Sequence, residues 1–182
     1  MEQQSGSSSA DGRGKPVRVG VIGVGEFGAS LAIRDRHTQA VSVCAFADLD
    51  VEQAQARLVR AGLSRDSIEV CDSRPQAVAA LERGARVLTA DASLLPGLPI
   101  DILVDSTGHP EAAARMAEAS IANGLHVAMA SKECDSVIGP LLYRKARAAG
   151  VVYTPVDGDQ PSLLMKLIGW SRELGLKIVA AG

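Results

Sequence analysis

Gly23-Val24-Gly25-Glu26-Phe27-Gly28 sets three glycines at the spacing G-x-G-x-x-G, and Asp48 lies twenty residues past the last of them (48 − 28 = 20). Each glycine of such a run has a separate use. The first permits a sharp turn, the second lets a diphosphate approach bare backbone, and the third lets a helix lie close to a strand. Amide groups exposed at the helix start, around Glu26 and Phe27, supply donors and positive potential to an anion. A carboxylate at the position of Asp48 can accept both hydroxyls of an adenosine ribose and repels a 2′-phosphate. Leu49 follows it, where an Arg would welcome that phosphate; Asp50 suits a helix cap better. The chemistry expected is dinucleotide binding, with NAD favoured and NADP left open. Glycines also serve any tight turn, so the reading depends on a strand before the run and a helix after it.

Three further segments carry reactive side chains. In Asp105-Ser106-Thr107-Gly108-His109-Pro110, the hydroxyls of Ser106 and Thr107 and the nearby amides could contact ribose or pyrophosphate. Gly108 would allow close approach, and His109 reads as an ordinary neighbour of a helix cap. In Ser131-Lys132-Glu133-Cys134, the Lys132 ammonium could polarise a carbonyl or relay a proton. The alternative is a solvated lysine paired with Glu133. Cys134 could serve as a nucleophile if a helix N-terminus lowered its pKa, but no base is identifiable for it and a buried thiol is the better reading. In Pro155-Val156-Asp157-Gly158-Asp159-Gln160-Pro161, the two acids could bind a polyol or a cation, or could cap a helix opening at Pro161.

The elements that must position these residues alternate. Apolar, β-branched runs predict strands at Val17–Ile22, Val41–Ala47, Arg86–Thr89, Ile100–Asp105, His126–Met129, Val151–Thr154 and Lys177–Ala180, with Ile68–Val70 as a short extra strand. Several are almost continuously apolar, as strands covered on both faces should be. Between them, Asp50 and Gln53 form a capping-box pattern and Gly62 suits a left-handed C-terminal residue. Pro110 opens a helix that stops at Asn123-Gly124, and Pro140 opens another closed by Gly150. Leu163, Leu167, Trp170 and Leu174 share one face of a helix ending at Gly175, which predicts a core role for Trp170. Crossovers this long imply parallel pairing. The expected fold is α/β, a doubly wound parallel sheet of the Rossmann dinucleotide-binding kind. Its ligands bind beyond the strands' carboxyl ends, where strand order reverses. All the segments named above fall there.

Composition narrows the field. The chain has 182 residues, and 19 Lys+Arg against 21 Asp+Glu give a net charge of −2. That is one domain's length, without the basic excess a phosphate backbone attracts. Aromatics at 3% leave few stacking platforms, so nucleic acid is not the expected partner. No apolar run approaches the roughly 20 residues that span a bilayer. Cys44, Cys71 and Cys134 are odd in number and show no CxxC pair, which argues against a disulfide framework or zinc site. Reduced thiols point to the cytoplasm. No metal ligand set emerges from the three histidines. Residues 1–15, rich in Ser, Gly and Gln, read as a disordered leader, and 16–182 as one dinucleotide-binding domain.

Val21–Ser30, Asp105–Gly108, Ser131-Lys132-Glu133 and Gly158–Ser162 together resemble the N-terminal region of homoserine dehydrogenase-like oxidoreductases. The nearest likeness is to the branch of 1-deoxy-D-xylulose 5-phosphate reductoisomerase-like proteins. The resemblance runs from about Val17 to Gly182. It implies a nicotinamide-dependent oxidoreductase whose first domain holds the cofactor, with Lys132 at the position of an active-site lysine. Such enzymes continue into a substrate and oligomerisation region, so the chain is expected to be the first part of a longer, homo-oligomeric enzyme acting on a small molecule. Reductoisomerases of this branch favour NADPH, against which Asp48 argues. The rival expectation is a non-catalytic module that senses NAD(H).

Overall fold

The computed structural model describes residues 15–34, 37–157 and 160–180. Its centre is a seven-stranded, wholly parallel sheet: β1 (Val17–Ile22), β2 (Val41–Ala47), β3 (Ile68–Val70), β4 (Arg86–Thr89), β5 (Ile102–Asp105), β6 (His126–Met129) and β7 (Tyr153–Pro155). The order is β3-β4-β2-β1-β5-β6-β7, so strand order reverses at β1. The helices are α1 (Glu26–Leu31), α2 (Val51–Ala61), α3 (Arg74–Glu82), α4 (Pro110–Ala122), α5 (Lys132–Ala148) and α6 (Gln160–Glu173), with 3-10 turns at Arg65–Ser67 and Ala92–Gly97.

The near-continuous apolar strands are explained by two covered faces. Alternation sends Val19, Val21, Phe46, Leu88 and Val104 into one cluster with Ala29, Ala54 and Leu58 of α1 and α2. It sends Ile22, Ala47, Val87 and Leu103 into another with Ala77, Ala80 and Leu81 of α3. α4 and α5 close the far end of the sheet through Ala113, Ala117, Leu142 and Ala146 against Val127, Met129 and Tyr153. Because every strand runs the same way, the loops after β1, β2, β5 and β6 share one rim.

Local signals work where they are local. The Asp50 carboxylate accepts from the Gln53 amide at 2.9 Å, capping α2, and Gly62 ends it at φ +115°. Pro110 stands in the first turn of α4 and Gly124 follows at φ +76°. Ile68–Val70 is a true edge strand.

Four expectations need correction. Pro140 opens no helix: α5 begins at Lys132 and runs through it. The ring is exposed, so the lost N–H bond to Ser136 falls on the solvent side, where water can serve the carbonyl. β5 and β7 begin two residues later than their apolar runs, at Ile102 and Tyr153. Lys177–Ala180 is irregular rather than a strand, with Val179 88% exposed. The edge it would join, β7, is three residues long and ends in Pro155, which has no N–H. Trp170 is not core: it is 61% exposed, on a face with exposed Leu163, Leu167 and Leu174. Periodicity marks a face fit for burial, not one that is buried. Residues 1–14 of the expected 1–15 leader, and Gly158 and Asp159, lie outside the described residues.

Candidate functional site

The three motif glycines have three different surroundings. Gly23 turns the chain off β1 at φ +87°, and a Cβ there would lie 2.7 Å from the Ser106 carbonyl oxygen. A Cβ on Gly28 would lie 2.0 Å from the Gly23 carbonyl oxygen, so α1 rests directly on the turn. Gly25, the N-terminal cap residue of α1, has nothing within 4 Å of a Cβ position. Its backbone therefore stands open to an incoming group. No side chain caps α1, leaving first-turn amides without intrahelical acceptors. α1 is only six residues long, so these local amides matter more than any macrodipole.

Val24, between the glycines, is held from both sides. Its amide donates to Asp48 Oδ2 at 2.7 Å, and its carbonyl accepts from Arg57 Nη1 at 3.0 Å. The other Asp48 oxygen accepts from the Asp50 amide at 3.0 Å. Each carboxylate oxygen retains a further lone pair, so the half-buried Asp48 can still accept from a ligand hydroxyl. Gly25, Asp48, Arg57, Thr107, His109 and Met116 are among the walls of a cleft of about 350 Å³. Arg57 carried no sequence signal, because nothing local relates α2 to the glycine turn.

The loop after β5 crosses beside that turn. Ser106 Oγ lies 2.7 Å from the Gly23 carbonyl oxygen and 3.0 Å from that of Ile22. Behind it, Asp105 is fully buried, and its Oδ1 accepts from the Thr107 amide (3.2 Å), Thr107 Oγ1 (3.1 Å) and Ser131 Oγ (2.5 Å). Asp105 Oδ2 is buried without a hydrogen-bond partner. Burial pushes the Asp105 carboxyl above the ordinary carboxylate range, although its bonds to Ser131 and Thr107 pull the other way. Ser131 Oγ also accepts from the Gly108 amide at 3.0 Å. Ser131 occupies the N-cap position of α5 yet caps nothing, forgoing a bond worth about 1 kcal/mol in such positions. Asp105 and Ser131 both open segments marked in the sequence, but the sequence assigned neither of them a role.

Lys132 begins α5 on the other side of the loop. With Phe27, Ser106, Gly108, Glu133 and Asp157 it borders a second cleft of about 480 Å³. Phe27 is 41% exposed there. Asp157 pairs with Lys166 of α6 at 2.5 Å. Cys134 is buried, and burial pushes its thiol upward, away from thiolate character. The His109 amide donates to Thr107 Oγ1, and its ring caps nothing. Asp48 thus borders one cleft, Lys132 the other, and Ser106 both. Two clefts meeting at a turn of exposed amides suit an elongated ligand with an anionic middle.

Comparison with known proteins follows the same lines. The family model described as homoserine dehydrogenase, NAD binding domain, matches residues 19–155. A homoserine dehydrogenase of Pseudomonas aeruginosa is 29% identical over 140 residues, covering 76% of this chain and 28% of that protein. A 1-deoxy-D-xylulose 5-phosphate reductoisomerase of Thermus thermophilus is 42% identical over 55 residues, 30% of this chain and 15% of that one. The chain therefore spans less than a third of the length of either relative. Among solved structures, a homoserine dehydrogenase from Thiobacillus denitrificans superposes with a TM-score of 0.56 at 24% identity, over 77% of this chain and 29% of that one. At that identity the likeness concerns the fold.

Proposed function

This chain belongs to the homoserine dehydrogenase NAD-binding domain family, and from that membership we propose that it is the cofactor domain of a longer NAD(P)-dependent oxidoreductase acting on a small hydroxylated or phosphorylated substrate. The observation that carries the reading is the open backbone at Gly25, flanked by one cleft bearing Asp48 and another bearing Lys132. In this reading the Gly23–Gly28 turn, with the amides around Glu26 and Phe27, holds the diphosphate. Asp48 accepts the adenosine ribose hydroxyls, and Ser106, Thr107 and Gly108 line the crossing between the clefts. Bound nicotinamide supplies hydride chemistry. Lys132 places an ammonium where a developing alkoxide can take a hydrogen bond or a proton. The Asp48 carboxylate supports NAD over NADP, since it repels a 2′-phosphate.

The remaining assignments extend from this one. Cys44, Cys71 and Cys134 are buried and unpaired, which supports a reducing, cytoplasmic setting. The exposed apolar face of α6 supports burial against the rest of a homo-oligomeric enzyme. No helix among the described residues is long and apolar enough to cross a membrane. Side-by-side calorimetric titration of the chain with NAD, NADH and NADPH tests the proposal. Binding of the first two in preference to the third is expected, and equally weak binding of all three refutes it.

A further inference from the structure

We propose that Asp105 is a positioning residue, which acts through Ser131 to lock the Thr107–Gly108 turn to the start of α5 and so sets the place of Lys132 and of the nicotinamide half of the cleft. The inference rests on the cofactor reading above and deepens it.

Asp105 does not border either cleft. It is the last residue of β5, paired with Met129 of β6 and Ile22 of β1, and a β-branched apolar residue would serve the sheet there as Val104 does. Instead the position holds a buried carboxyl with one oxygen unpartnered, an unfavourable choice unless the other oxygen has work to do. That other oxygen gathers three donors from two separate segments: the Thr107 amide and hydroxyl, and the Ser131 hydroxyl. Ser131 relays the connection by accepting from the Gly108 amide while donating to Asp105. Its hydroxyl is spent on this bridge rather than on capping its own helix. Lys132 is the next residue. Loss of the Ser131 link frees Gly108 and the helix start together, on the Lys132 side, while Asp48, Arg57 and the glycine turn keep their own bonds. Loss of Asp105 also frees Thr107, which borders the Asp48 cleft.

The test compares NADH with ADP-ribose, which lacks nicotinamide, as ligands of the 182-residue chain. Ser131→Ala, which keeps the Asp105–Thr107 bonds, should weaken NADH binding about tenfold, the equivalent of one buried hydrogen bond, and leave ADP-ribose affinity unchanged. Asp105→Ala, which also frees Thr107, should weaken NADH by at least as much and by more than it weakens ADP-ribose. Asp105→Asn, which keeps an oxygen for the three donors, should restore most NADH affinity. If Asp105→Ala does not fold, Ser131→Ala reads the bridge with the Asp105–Thr107 bonds intact. Equal losses for both ligands, or no loss for either, overturn the proposal. A wild-type chain that binds neither ligand removes the cofactor reading itself, whereas normal wild-type binding with unchanged variants removes only the role of Asp105.

Discussion

Asp48 grips the Val24 amide with no ligand required, so truncating it would loosen the glycine turn and remove a ribose acceptor together. Asp48→Asn separates the two effects, because an amide oxygen can still serve Val24 while the charge is gone. NADPH affinity should then rise relative to NADH by about 1–2 kcal/mol, roughly a factor of 5–30, measured as the ratio of the two dissociation constants. An unchanged ratio would detach Asp48 from cofactor choice. Asp105 makes a different prediction. Its folded-state pKa is raised by burial, with Cys134, Asp135, Tyr153 and His109 the titratable groups nearby. Between the ordinary carboxylate pKa and that raised value, the folded protein binds more protons than the unfolded chain, so this group's contribution to stability falls as pH rises. Asp105→Asn should abolish that component. Urea unfolding across this pH range should show wild type losing stability relative to the variant; parallel curves would contradict the assignment.

Packing of elements makes the motif glycines unequal. An alanine at position 28 drives its methyl into the Gly23 carbonyl at 2.0 Å, and backbone on both sides must shift. A cost of about 1–3 kcal/mol should appear as a lowered melting temperature. Gly25→Ala meets open space at φ −76°, so it should melt like wild type and lose dinucleotide affinity instead. Equal melting of both variants would mean that α1 does not rest on the turn. The legibility of the chain follows the range of the forces involved. The strand–turn–helix around Gly23, the Asp50 cap and the Gly62 stop depend on residues within a few positions of one another, and sequence spacing conveys them. Pro140 misleads because a proline near a helix start looks the same whether a helix precedes it or not; only the burial of Cys134, Gly139, Leu142 and Ala146 along one helix decides. Arg57 and the Asp105–Ser131 bridge stayed invisible because their partners lie 33 and 26 residues away, brought close by crossovers that no local pattern encodes.

At the scale of the whole molecule, α6 carries an exposed apolar face. Leu163, Leu167, Trp170 and Leu174 are each more than half accessible, so they contribute little to the stability of the described residues. Replacing Leu167 and Trp170 with Gln should change unfolding free energy by no more than about 0.5 kcal/mol each. Trp170 is the chain's single tryptophan, so its emission should be that of a solvated indole and quenchable by iodide in dilute solution. A blue-shifted, protected signal would show that another surface covers α6. The parallel sheet has a practical consequence as well. β1 starts at Val17 on the rim opposite the clefts, and Lys15 and Pro16 lead into it from that far side. An anchor or fusion partner joined directly at Lys15 would thus sit on the rim away from both mouths and leave the ligand's approach unobstructed.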